Sequence, residues 1–252
     1  MSVYLKEFNT HSEYEAYIAS EDKVLPNVSI CTTEGDVHYN PYVDPYAGHD
    51  YVEIGGLKWA TMNVGANSIT DTGLYFQWGD ISGYTAAQCG SGEGQKYFGW
   101  ADYKYGNGTS SPGATGMTKY NSTDGKTVLD AEDDAAVANW GGSWRMPTTA
   151  EYVALGAAVT TAWTADYQGS GVAGMICTDR TDSSKVLFFP ACGHCSNGSV
   201  SSNVGSYGLY WSSSLISSNV QLAYRLSLHD GYVNWHHEGN RFSGFQVRGV
   251  VG

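Results

Sequence analysis

Apolar and polar positions alternate most regularly near the end of the chain. Asp230-Gly231 suits the two-residue type I′ turn of a β-hairpin, and around it Tyr224, Leu226, Leu228, Val233 and Trp235 fall on one side. A two-residue loop sets His229 opposite Tyr232, and every further pair follows by alternation. The first face is expected to pack on a core, with Trp235 buried beside Leu226. The second collects Arg225, Ser227, His229, Tyr232, Asn234 and His236, a polar, ring-rich set that a core does not need. An ordinary half-solvated antiparallel pair gives the same alternation, so the pattern defines two faces without saying what the outer one does.

Other elements read less regularly. Thr10 with Glu13 forms a capping box before a short helix whose inner face holds Tyr14 and Tyr17 or Ile18. The stretch 24–46, with Pro26, Pro41 and Pro45, reads as extended strands and a linker. Val52, Ile54 and Leu57 suggest one strand, Trp59 and Met62 a second, and "GLYFQWGD" a short aromatic strand closed by Gly79. Residues 81–125 lack periodicity and form a long loop region, of the kind that is functional or structurally pinned when ordered. Two helices follow. One has Asp130 as N-cap and stops at Gly141; the other has Thr148 as cap, Glu151 at the third position, and Tyr152 and Leu155 on its apolar side. Beyond Ala158 the chain reads as strands and turns. The expected division is an N-terminal docking or assembly segment, 1–48, and a main domain, 49–252.

Composition narrows the class. The chain has 252 residues, 42% hydrophobic and only 15% charged, with 32 Gly and 19 Tyr. That length buries a core without metals or disulfides, and the low charge argues against a coiled coil. The net charge of −12 disfavours nucleic acid and anionic membranes. No apolar run is long enough to span a bilayer, and "MSVYLKEFNTHSEYEAY" has no apolar leader core. The five cysteines are odd in number and scattered, so no disulfide framework is expected, and Cys31 and Cys89 read as free thiols.

The ordered set "GGLKWATMNVGA", "GLYFQWGD", "NWGGSWRMPTTAEYVAL", "GLYWSSS" and "RFSGFQVRGV" resembles the C-type-lectin-like domains called Fibrobacter succinogenes major paralogous domains, relatives of the formylglycine-generating enzyme fold. The resemblance covers roughly residues 50–252. It implies an α+β C-type lectin fold with mixed and antiparallel strands, two main helices and long loops. Many such domains, in gut bacteria and their phages, are variable proteins of diversity-generating retroelements, whose error-prone reverse transcriptase rewrites template adenines. The resemblance then implies further ligand-face positions at His194, Asn197, Tyr207, Leu209, His237, Asn240 and Phe242. The favoured target codon, AAC, yields most amino acids but never Lys, Glu, Gln, Met or Trp. All six display-face residues are reachable and Trp235 is not, and after Lys185 the chain has no Lys and no Met.

Rival chemistry is weaker. "CGHC", Cys192 to Cys195, spells a dithiol motif, but "SNGSVSSNVGS" after it does not start the helix that lowers a thiol pKa. His229 and His236 lie on different strands and lack an evident third ligand for zinc. The carboxylate signatures of a calcium-dependent lectin are absent, and fold kinship alone does not transfer formylglycine-generating chemistry. The expectation is a non-enzymatic protein without cofactor or metal. It binds a host cell-surface protein or glycan, sits in a phage tail or fibre or on a bacterial surface, and contacts other virion proteins or copies of itself through its N-terminal segment. A non-diversified bacterial surface or structural protein is the alternative, and a formylglycine-generating or dithiol redox enzyme a remote one.

Overall fold

The structure, a computed structural model, describes residues 5–8, 12–13, 16–17, 28–33, 36–41, 45–201 and 203–252. Internal contacts divide the chain into two units, 1–48 and 49–252. In the first, β1 (Leu5–Phe8) pairs in parallel with β2 (Val28–Thr33), which pairs antiparallel with β3 (Asp36–Pro41). Residues 12–13 and 16–17 are helical. The expected cap Thr10, the inner-face Tyr14 and Ile18, and Pro26 lie outside the described residues.

The second unit is α+β, built of small antiparallel sheets and two helices. Its first sheet holds β4 (Tyr51–Ile54), β5 (Leu57–Asn63) and the C-terminal β14 (Arg248–Val251), with β5 central. Leu57 begins the second strand here rather than ending the first. Gly55 and Gly56 turn the chain with φ of 63° and 81°, so Ile54 faces Leu57. The second sheet is β6 (Val159–Thr164), β7 (Gly174–Asp179) and β8 (Val186–Pro190). A two-stranded hairpin, β9 (Cys195–Ser196) and β10 (Ser199–Val200), leads to the last sheet: β11 (Tyr207–Leu215), β12 (Leu222–His229) and β13 (Tyr232–Asn240), with β12 in the middle.

The second helix, α2 (Thr149–Ala158), follows its local signals. Thr148 and Glu151 form the reciprocal capping box, and Tyr152 and Leu155 are buried. The first helix, α1 (Ala135–Trp140), starts later than its pattern suggests. Asp130 precedes only a 3₁₀ turn, and Asp134 caps the helix by accepting from the Ala136 and Val137 amides. Competition among neighbouring acidic candidates was settled by tertiary contacts, because the other Asp134 oxygen accepts from the Met146 amide. The aromatic stretch 73–80 is not a regular strand: Tyr75 pairs with Tyr84 and Phe76 with Phe245, while the Trp78 amide donates to the Arg241 carbonyl. Tyr75 meets one segment and Phe76 and Trp78 another, 241–245, so no ladder extends.

Within the second unit one core joins the three larger sheets. Trp59, Tyr152, Leu155, Met175, Phe189, Tyr210, Leu226, Leu228 and Val250 are buried together. The segments that carry the resemblance meet each other in the interior: Trp78 Nε1 donates to the Ser212 carbonyl and Trp211 Nε1 to the Phe76 carbonyl, both at 2.8 Å. The long loops of 81–125 are pinned from within. Asp133, 3% exposed, accepts from Lys104 (3.0 Å), Lys119 (2.6 Å), Tyr120 (2.6 Å) and the Tyr105 hydroxyl. Burial alone would raise this carboxyl, but its charged and hydroxyl donors outweigh that and hold it well below the usual carboxylate range.

One expectation about cysteine is corrected. Cys89 is not a free thiol: it is disulfide-bonded to Cys195, 106 positions away. The same bond removes the dithiol reading of "CGHC". Cys192 is a buried free thiol, and burial pushes it up to about 11, so no low-pKa thiolate stands beside a partner sulfur.

Candidate functional site

The hairpin forms around Asp230-Gly231 with His229 opposite Tyr232, Leu228 opposite Val233 and Ser227 opposite Asn234. Beyond that the register changes. Two steps along β12, from Ser227 to Arg225, match three along β13, from Asn234 to His237. This β-bulge sets His237, rather than His236, in Arg225's row. His236 occupies the extra position, exposed, with its amide donating to Asn234 Oδ1 at 3.1 Å.

With β11 added, the outer face has three rows. They run Tyr207–His229–Tyr232, Leu209–Ser227–Asn234 and Trp211–Arg225–His237. The first row is the tip of the hairpin and is a ladder of rings. His229 stacks on Tyr232, centroids 4.7 Å apart and planes 14° apart, and lies 4.8 Å from Tyr207. Tyr207 is 36% and Tyr232 41% exposed. The His229 Nδ1 donates to the Asp230 carbonyl (3.0 Å) and Asn234 Nδ2 to the Tyr232 hydroxyl (3.1 Å), so the ladder is ordered without being part of a core.

The rows behind the tip are corrections. Leu209, 6% exposed, and Ser227, 5% exposed, are not display residues. Ser227 is short and central, with taller neighbours in the rows on either side. Trp211 is fully buried, because Phe245 lies over it at 4.3 Å. Phe245 also carries the Arg225 guanidinium at 5.1 Å and meets the His194 ring edge-on at 5.9 Å. Arg225 and His194 are therefore half-buried. Burial, with minor opposition from Tyr232 and Glu238, brings the Arg225 guanidinium down to about 10. Burial first, and then the Arg225 charge, lowers His194 below the ordinary imidazole range.

The remaining candidates lie apart. Asn197, exposed, and Gly198 are the positive-φ pair between β9 and β10, a backbone role that suits Asn. The Asn197 amide donates to the Phe98 carbonyl, and Phe242 meets Trp100 edge-on at 4.8 Å. These two positions belong with the 97–102 turn rather than with the ring ladder. Asn240 is exposed at the end of β13. Tyr97, 43% exposed, and Trp100 lie in that turn, where nothing periodic in the sequence marks them.

Trp235 is also corrected. It packs on the core side, but it is half-buried rather than buried. With Trp163, Thr161, Arg180, Asp230 and Gly156 it borders a groove of about 490 Å³ behind the hairpin tip. Gly156 is what lets the indole approach α2: a Cβ there would lie 2.5 Å from Trp235 Nε1.

Among the described residues one carboxylate trio has metal-ligand spacing, Asp130, Glu132 and Asp133. The Lys119 ammonium stands among them at 2.9, 2.9 and 2.6 Å, so the trio already holds a cation. No helix among the described residues is long and apolar enough to cross a membrane. Comparison with family models, with curated proteins and with solved structures found no match to this chain.

Proposed function

We propose that this chain is a non-enzymatic binding protein that carries its ligand site on the outer face of β11–β13, on a C-type lectin scaffold. The observation that carries this reading is the exposed ring ladder Tyr207–His229–Tyr232, set on a hairpin whose other side, at Leu226 and Leu228, belongs to the core. Tyr and His offer contact area and adaptable hydrogen bonds at modest entropic cost. A protein ligand of ordinary size covers about 800 Å² of one partner, more than the ladder alone, so Asn234, His236 and His237 fall within its footprint. Each of these side chains is one that adenine-directed rewriting of AAC produces. Leu209 and Ser227 are reachable too, but they are buried and belong to the scaffold. The setting proposed is a phage tail or fibre contacting a host surface, with a non-diversified bacterial surface protein as the rival. A reverse transcriptase gene and a near-copy of the 3′ end beside this gene would decide between them.

The direct test replaces Tyr207, His229 and Tyr232 together by Ser and measures binding to a panel of intact bacterial cells. The expected result is a folded variant that no longer binds the cells the parent binds. Unchanged binding places recognition elsewhere and refutes the proposal.

A further inference from the structure

Three arginines follow Lys185, and the fold treats them differently. Arg241 uses every nitrogen: Nε donates to the Tyr103 hydroxyl, Nη1 to the Tyr120 and Val220 carbonyls, and Nη2 to the Lys119 carbonyl. Arg248 does the same, with Nε and Nη2 on Asn63 Oδ1 and further bonds to the Ala60, Thr61 and Phe188 carbonyls. Arg225 uses only Nε, which donates to the Glu238 carbonyl at 2.9 Å. Its Nη1 is sealed from water with no acceptor, and Nη2, which is not sealed, has no hydrogen-bond partner among the described residues. No carboxylate among the described residues lies within ion-pair distance of it. Beside it, across the same Phe245 ring, His194 Nδ1 is likewise sealed without a partner.

A guanidinium in this position is costly to bury and is ordinarily paired or fully hydrogen-bonded. The Phe245 face offsets part of that cost but accepts no N–H. With Nε engaged and Nη1 sealed, Nη2 is the nitrogen that a ligand oxygen reaches first; a small shift of the cover over Nη1 would open the Nη1–Nη2 edge, which matches two oxygens held about as far apart as those of a carboxylate. The chain's net charge of −12 opposes more highly charged anions. The ring ladder begins two rows away on the same face.

We propose that the Arg225–His194 corner over Phe245 is the subsite for one carboxylate, an Asp or Glu side chain of a protein ligand. This rests on the reading of the face as a ligand site and names the chemistry of its inner end. The carboxylate reaches Nη2 first and takes the full Nη1–Nη2 edge as the cover over Nη1 gives way, while Nε stays on Glu238 and the His194 ring lies alongside. Tyr207, His229 and Tyr232 supply the surrounding contact area, residue types suited to a broad protein epitope.

The test uses the full chain labelled with ¹⁵N-arginine and ¹⁵N-histidine, titrated with propionate, with sodium chloride at matched ionic strength, and with N-acetylneuraminate. Propionate is expected to shift the Arg225 guanidinium and His194 ring signals in a saturable way. Arg241 and Arg248 serve as internal controls that do not move. Arg225→Lys, which keeps the charge and loses the fork, is expected to weaken the shift at least tenfold. A propionate response that is absent, or that chloride reproduces, overturns the proposal. N-acetylneuraminate saturating at a tenfold lower concentration than propionate also overturns it, and assigns the corner to an acidic sugar. The two readings fail separately. Loss of cell binding in the ring-ladder variant without any propionate response leaves the ligand face standing and removes the carboxylate. A propionate response with cell binding indifferent to the ladder does the reverse.

Discussion

Replacing Arg241 and Arg225 each by Met separates an arginine that holds the fold from one that does not. Methionine fills much of the stem volume in both places. At Arg241 it strands the Tyr120, Val220 and Lys119 carbonyls and the Tyr103 hydroxyl. Each abandoned buried acceptor costs about 1–3 kcal/mol, and relief of the guanidinium's own desolvation returns part of the sum. The net expected loss is about 3–5 kcal/mol, a large fraction of a domain stability of about 5–15 kcal/mol. With a urea slope of about 3 kcal/mol/M for a chain this long, the midpoint falls by about 1–1.7 M. At Arg225 the change frees one carbonyl, that of the exposed Glu238, and removes a contact with Phe245 worth about 0.5–2 kcal/mol. It also removes a guanidinium with an unpartnered buried nitrogen, so the net loss stays within about 1 kcal/mol. Urea denaturation followed by tryptophan fluorescence measures both. Equal midpoint shifts would show Arg225 to be structural and would refute the reasoning that its fork is kept for a ligand.

Other expectations follow from single features. Blocking the denatured, unreduced chain with a thiol reagent should leave Cys89 and Cys195 unlabelled, and Cys89→Ser with Cys195→Ser should cost up to about 4–5 kcal/mol on the chain-entropy estimate for a loop near 100 residues; labelling of both sulfurs contradicts the bond. Asp133 has a folded pKa held below its unfolded value of about 3.9, so its contribution is present above that value and is lost as pH falls from about 4 toward the folded pKa. Asp133→Asn should therefore destabilise at pH 7 by about 3–5 kcal/mol and flatten the acid limb of a stability–pH curve; an unaltered limb argues against the hub. Gly156→Ala should cost about 1–3 kcal/mol by forcing Trp235 off α2, with a shift in fluorescence. Trp235→Ala, at a half-exposed site, should fall near or below about 3 kcal/mol, the lower end of the range for fully buried tryptophans.

What the sequence made legible was local. The Thr148–Glu151 box places α2 because both halves lie within one turn, and Asp230-Gly231 fixes the hairpin and its first three pairs. The candidate face was visible where alternation suffices, at His229, Tyr232 and Asn234. It failed one step further on, because the bulge opposite Arg225 adds a residue that no periodicity announces. Leu209 and Ser227 look like display positions until the rows beside them and Phe245 from a distant loop are in place. The Cys89–Cys195 bond joins segments 106 residues apart, and the four acceptors of Arg241 come from three separate stretches that no local pattern brings together.

The central claim is that specificity resides in exposed side chains of β11–β13 while the scaffold is indifferent to them. The measurement that tests it most directly exchanges Tyr207, Arg225, His229, Tyr232, Asn234, His236 and His237 for the residues at the same positions of a sibling domain with a different face. Both proteins and the graft are then measured for binding across one panel of intact bacterial cells, with melting curves alongside. The account predicts that the graft melts within a few degrees of the parent and binds the cells that the sibling binds. A graft that is folded and retains the parent's binding profile would contradict it.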